Sequence, residues 1–193
     1  MGATLPSAAG SIGLAVSAIL AGCTSTAITL TPSPQAPVCD RAAKALVLWA
    51  PQWRPDQKDV AEREVAAQAG LQDVLAHSGC FTHLDLQRVP DLPSSSIAAK
   101  AALATSQFNR VVVVAVRELG PVVRLLSSAA LVDGGTEVVQ HIAVYLAPEA
   151  AAPHEFTIHW QNGGRGVVKG VATLPVDMRA ALVAAMQPGT AVS

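Results

Sequence analysis

The chain has 193 residues, of which 51% are hydrophobic and 14% charged, so it can build the core of one ordinary domain. That composition excludes an intrinsically disordered chain, and the length excludes a multidomain machine. The 13 Lys and Arg against 14 Asp and Glu give a formal charge of -1, which offers no basic face for a nucleic-acid partner.

Residues 1–22 carry no charged side chain, and Ile12 to Ala21 form a short, largely apolar run. Ten such residues cover about half of a ~30 Å hydrocarbon core, so the run reads as an export signal and not as a spanning helix. It ends in Leu20-Ala21-Gly22-Cys23, which resembles the lipobox of bacterial lipoproteins residue by residue. The resemblance implies removal of the peptide before Cys23, a diacylglycerol on its thiol and an acyl chain such as palmitate on the new amino terminus. Several chains at one site exceed the threshold for stable membrane attachment. Position 24 is Thr, where enteric lipoproteins kept at the inner membrane carry Asp, so the resemblance implies the outer membrane, with the domain facing the periplasm. The competing reading is an apolar N-terminal helix with a buried free cysteine.

Residues 24–38, TSTAITLTPSPQAPV, hold three prolines and no charge, which predicts an extended tether between lipid and domain. A single domain follows over 39–187, with a flexible tail at 188–193. From Lys44 the run ALVLWA, bounded by Pro51, has the continuity of a buried strand. Asp56 is a candidate N-cap for a helix whose apolar side is Val60, Ala61, Val65, Leu71, Val74 and Leu75, closed by His77-Ser78-Gly79. Phe81 to Val89 alternates as a second strand. The segment DLPSSS, with Ser94 to Ser96 as loop and cap, precedes a helix from Ile97 to Phe108 whose apolar face is Ile97, Ala101, Ala104 and Phe108.

Arg110 to Leu119 contains VVVVAV, the strongest strand signal, and Gly120-Pro121 predicts a turn into a second run, Val122 to Val132. Asp133-Gly134-Gly135-Thr136 is a hairpin signal before Glu137 to Ala147. After PEAAAP comes His154 to Gln161, then a reversal at Asn162-Gly163 into Val167 to Ala172. A final helix spans Pro175 to Met186, with Met178, Leu182 and Met186 on one face. The predicted fold is mixed α/β: β-α-β-α, an antiparallel meander and a C-terminal helix, with one mixed sheet and helices packed on it.

Apart from Cys23 the chain has Cys39 and Cys80, an even pair in an oxidising compartment. If the first two strands are joined by a parallel crossover, both begin at one rim of the sheet, where each cysteine lies just before its strand. A disulfide is the economical reading. A metal pair would lack a CxxC or a nearby His-x-His, and a catalytic thiol would need an activating partner.

The order of these elements, with KALVLWAP, HSGCFTHLDLQRV and RVVVVAVREL, is similar to the domain of outer-membrane lipoproteins related to PelC, CsgG and the N-terminal domain of TolB. The likeness covers about Lys44 to Met186. It implies a non-catalytic accessory protein for assembly or secretion, working with envelope partners or by self-association. A second group with a lipobox and a similar closing meander is the auxiliary lipoproteins of ABC-type lipid transport systems.

Chemistry leaves few marks. His154 and His159 are five apart on one strand and so face opposite ways. The predicted pairing sets His141 beside Trp160 and His159 beside Ile142, again on opposite faces, so no histidine metal site is expected. The chain has no Gly-x-Ser-x-Gly elbow and no HExxH, so a periplasmic hydrolase is the weakest alternative. No cofactor is implied. Asn162-Gly163-Gly164-Arg165-Gly166 lacks a following GK[ST] and reads as a hairpin or bulge rather than a phosphate cradle, with Arg165 and Lys169 as contacts. The most suggestive surface is Trp49-Ala50-Pro51-Gln52-Trp53-Arg54, at the strand end where open α/β sheets place sites. Trp49, Trp53, Arg54 and, more weakly, Arg165 are the candidate partner contacts. The bland alternative packs Trp49 in the core and lays Trp53 over the helix start.

Overall fold

In the computed structural model, which describes residues 24–126, 131–148 and 152–187, ten elements follow one another. They are β1 (Ser25–Thr31), β2 (Lys44–Pro51), α1 (Val60–His77), β3 (His83–Arg88), α2 (Leu92–Ala104), β4 (Arg110–Leu126), β5 (Leu131–Leu146), β6 (His154–Arg165), a 3-10 turn (Val171–Thr173) and α3 (Leu174–Met186). Residues 1–22, expected as an export signal, Cys23, and residues 188–193, expected as a tail, lie outside the described residues.

The strands form one mixed sheet in the order β1-β6-β5-β4-β2-β3. Strand β2 is parallel to both β3 and β4, and the β4-β5-β6-β1 side is antiparallel throughout. The run Ala45 to Ala50 is buried along its whole length, as its unbroken hydrophobicity requires of a strand covered on both faces. On one face Val47, Trp49, Val112, Val114, Ile142, Phe156 and Ile158 pack under α1 and α3. On the other, α2 covers Leu46, Leu48, Val111, Val113 and Ala143 through Ala99 and Leu103. Burying such side chains contributes about 1.5–3 kcal/mol each.

Four expectations are corrected. The tether is not free, because Ser25–Thr31 pairs with β6 as an edge strand and Val38 is buried, its N–H donating to Met186 O at 2.9 Å. The alternation of Thr with Ile28 and Leu30 is a β signal, and the flanking prolines concealed it. Helix α1 begins at Val60, four residues beyond the Asp56 cap, behind Asp59 at φ 55°.

Helix α2 begins inside DLPSSS, since the Asp91 carboxylate accepts from the Ser94 N–H at 2.7 Å and Pro93 suits the first turn. That hydrogen bond holds the Asp91 pKa below its ordinary value. The earlier start moves the buried face to Ser95, Ala99 and Leu103 and leaves Ile97 71% exposed; Phe108 is buried beyond the helix end.

The meander is longer and simpler than its glycines suggest. Gly120-Pro121 does not turn but runs on through β4, paired with Glu137 and Thr136, and Asp133 to Thr136 lies inside β5. Asn162 to Arg165 likewise extends β6, and 167–170 forms no strand. Here glycine serves close approach: a Cβ on Gly135 would meet Asn162 O at 2.5 Å and the Gly163 Cα at 2.8 Å.

Candidate functional site: a groove beside the end of strand β2

Cys39 and Cys80 form a disulfide with their Cα atoms 4.7 Å apart, on the rim where β2 and β3 begin. Around it Asp40 N–H donates to Cys80 O at 3.0 Å, and Arg110 Nη2 pairs with Asp40 Oδ2 at 3.1 Å. This rim is a brace, at the opposite end of β2 from the Trp53 loop.

At the C-terminal end of β2 the four candidate contacts separate. Trp49 is 1% exposed, its Nε1–H donates to Gln68 Oε1 at 2.6 Å and the Arg88 guanidinium stands 5.5 Å from its ring centre, so it is a core residue and not the partner contact its position in the sequence suggests. Trp53 is half-buried against the same core, with Nε1–H donating to Glu64 Oε1 at 3.3 Å. Arg54 is exposed. Arg165 is exposed too, but it pairs in register with Asp133, six residues along β5 from the Val139 that borders the Trp53 loop. At about 3.4 Å per residue that is ~20 Å away, so Arg165 belongs to another surface.

The Trp53 and Arg54 side chains line a groove of about 440 Å³ together with Gln52, Arg117, Glu118, Glu137 and Val139. A bulge makes it. The β4-β5 register shifts between Val116 and Glu118, and Arg117 turns outward, where its Nε–H donates to Gln52 Oε1 at 2.9 Å. Beside it Glu118 gathers Arg63 Nη1 at 3.3 Å, Arg54 Nη2 at 3.3 Å and Gln57 Nε2 at 3.2 Å. Arg63, 8% exposed, also donates to the carbonyls of Lys58 and Leu119, and its guanidinium fills the place that a Cβ on Gly120 would need. One carboxylate thereby fastens the 52–59 loop, α1 and β4 together. Nothing in sequence marks that bulge; the only signal is that Arg117-Glu118 interrupts a valine run.

The groove opens onto half a sheet face that no described helix covers. Thr29, Glu137, His141, Thr157 and His159 lie there, each exposed or half-buried. The predicted register is three residues out: His141 pairs with Thr157 and His159 with Val139, so both histidines share this face. His159 Nε2 contacts Glu137 Oε1, and His141 Nε2 stands 3.7 Å from Glu155. Burial lowers the His141 pKa, Glu155 opposes that, and Arg117 adds to it. Among the described residues no three His, Cys, Asp or Glu side chains are placed to hold a metal ion. Lys169 is no contact residue, because it is held between Asn162 Oδ1 at 2.6 Å and Asp177 Oδ1 at 2.7 Å.

No protein-family model matches the chain, and no curated protein matches it in sequence. Among solved structures it is similar to the PelC dodecamer of Paraburkholderia phytofirmans, at 14% identity and a TM-score of 0.42, over 82% of this chain and 95% of that one. A Helicobacter pylori homologue of a neuraminyllactose-binding hemagglutinin gives 10% identity and 0.42, over 79% and 86%. A Xanthomonas campestris protein of family DUF330 gives 10% and 0.36, over 78% and 83%. No described helix is long and apolar enough to cross a membrane.

Proposed function

We propose that the chain is a lipid-anchored accessory protein of the bacterial envelope, held at the outer membrane through Cys23, that works without catalysis by docking a protein partner in the Trp53-Arg54 groove during assembly or secretion. The observation that carries the docking site is the Glu118 hub. The loop fixed by Arg63, Arg54 and Gln57 presents Trp53 and Arg54, and the adjoining β4 bulge presents Arg117; preorganised aromatic and Arg side chains are what binding energy concentrates on. The disulfide agrees with export, since such bonds persist in the oxidising periplasm.

The test is Arg54→Ala with Arg117→Ala, since both side chains are exposed and neither belongs to the core. The double variant is expected to keep its stability within about 1 kcal/mol and to fail, in a pull-down, to retain an envelope partner that the wild type is expected to retain. A folded double variant that retains every partner contradicts the assignment of the groove.

A further inference from the structure

The charges of the Trp53 groove are unevenly balanced. Both of its carboxylates are engaged: Glu118 meets Arg63 Nη1 and Arg54 Nη2 at 3.3 Å each, and Glu137 Oε1 meets His159 Nε2 and accepts from Gln161 Nε2 at 3.4 Å. Arg54 has a second acidic neighbour, Asp56 Oδ1 at 3.9 Å. Arg117 lines the same groove, is exposed, and has no carboxylate partner among the described residues.

Its one partner is neutral. The Arg117 Nε–H donates to Gln52 Oε1 at 2.9 Å, and the Gln52 N–H in turn donates to Val116 O at 2.8 Å, so one residue braces the bulge through its backbone and its side chain. With Nε taken, the two Nη groups are left as a free fork, and a planar fork fits the two oxygens of a carboxylate. The charge reaches its surroundings: Arg117 adds to the lowering of the His141 pKa that burial begins and Glu155 opposes. Beside the fork Trp53 and Val139, both half-buried, give the groove an apolar wall. The groove opens onto the uncovered sheet face, so a chain can run on past Arg117 and need not end there.

We propose, on the reading of this groove as the docking site, that its partner is a protein whose extended segment presents an Asp or Glu side chain next to an apolar one. The carboxylate takes the Nη fork of Arg117, and the apolar side chain lies on Trp53 and Val139. Gln52 is a positioning residue, since it acts through Arg117. A basic segment is rejected, because Glu118 and Glu137 are already paired and nothing offsets its approach to Arg117.

The full chain, isotopically labelled and held in detergent, is titrated with three short peptides blocked at the amino end. Two are amide-capped and identical except for a central Glu or Gln between leucines; the third has the Gln and a free terminal carboxylate. The Glu peptide is expected to shift the Trp53 indole and Arg117 Nε–H resonances and to bind about threefold to tenfold more tightly than the Gln peptide, a gap that closes in Arg117→Gln and in high salt. Gln52→Ala is expected to narrow the gap without closing it, since it loosens the fork and leaves the charge. Equal affinities of the Glu and Gln peptides, no shift at either resonance, or tightest binding by the free-carboxylate peptide each overturns the acidic segment. The docking site itself is judged separately, by a photo-crosslinking residue at Val139 in cells. A protein adduct there with equal peptide affinities keeps the groove and overturns the acidic partner; Glu-selective binding with no adduct supports the Arg117 fork and overturns docking in the envelope.

Discussion

Arg63 Nη1 lies 3.3 Å from Glu118 Oε1, and through that pair helix α1 holds the bulge that shapes the groove. The Arg63 side chain is 9% exposed and that of Glu118 18%, so the pair is largely desolvated. Removing one partner of such a pair leaves a buried charge uncompensated, which costs about 3–5 kcal/mol. Arg63→Ala is expected near the lower end, about 3 kcal/mol, because Arg54 still faces Glu118. Arg54→Ala removes an arginine that is itself 63% exposed and leaves Glu118 paired with Arg63, so it should cost less than about 1 kcal/mol. Urea unfolding of the two variants checks this; equal losses would show that Glu118 is not the hub.

The strand and helix order was legible in the sequence because it depends on long apolar runs. Ala45 to Ala50, Val111 to Val116 in β4, and Met178, Leu182 and Met186 in α3 each lie where hydrophobic periodicity puts them. The errors cluster at glycine and proline. Gly120, Gly134, Gly135 and Gly163 look like turns in a one-dimensional reading, yet they serve close cross-strand contacts or make room for Arg63, which only the assembled sheet reveals. The site was half legible. Trp53 and Arg54 stand out by composition, whereas Arg117, Glu118 and Glu137 join them only through a bulge and a register that no local pattern encodes.

The disulfide gives a second expectation. It closes a sequence separation of 41, which the chain-entropy model values at about 4 kcal/mol through the restricted unfolded chain. Cys39→Ser with Cys80→Ser is expected to lower the melting temperature clearly. Peptide mapping of the oxidised protein without reductant should recover the two cysteines joined. Recovery of two free thiols from freshly isolated protein would end the claim.

His141 sets a pH dependence. Desolvation lowers its pKa in the folded state, so below the ordinary value of about 6.5 the unfolded chain binds the proton first. Stability contributed by the neutral imidazole is therefore fully present above that value, falls as the pH drops through it and levels off below the folded pKa. His141→Gln should flatten this part of the profile. Denaturant titrations of wild type and variant at pH 8 and at pH 5 give the comparison, and parallel losses in both would assign the effect to other groups.

The docking claim is tested most directly by placing a photo-crosslinking residue at Arg117 in living cells, with Lys100 on α2 as the control position. Irradiation is expected to join position 117 to one envelope protein, position 100 to none, and the adduct should disappear when Arg54→Ala is added. The same adducts from both positions, or an adduct at 117 that Arg54→Ala leaves intact, would contradict the groove as the docking site.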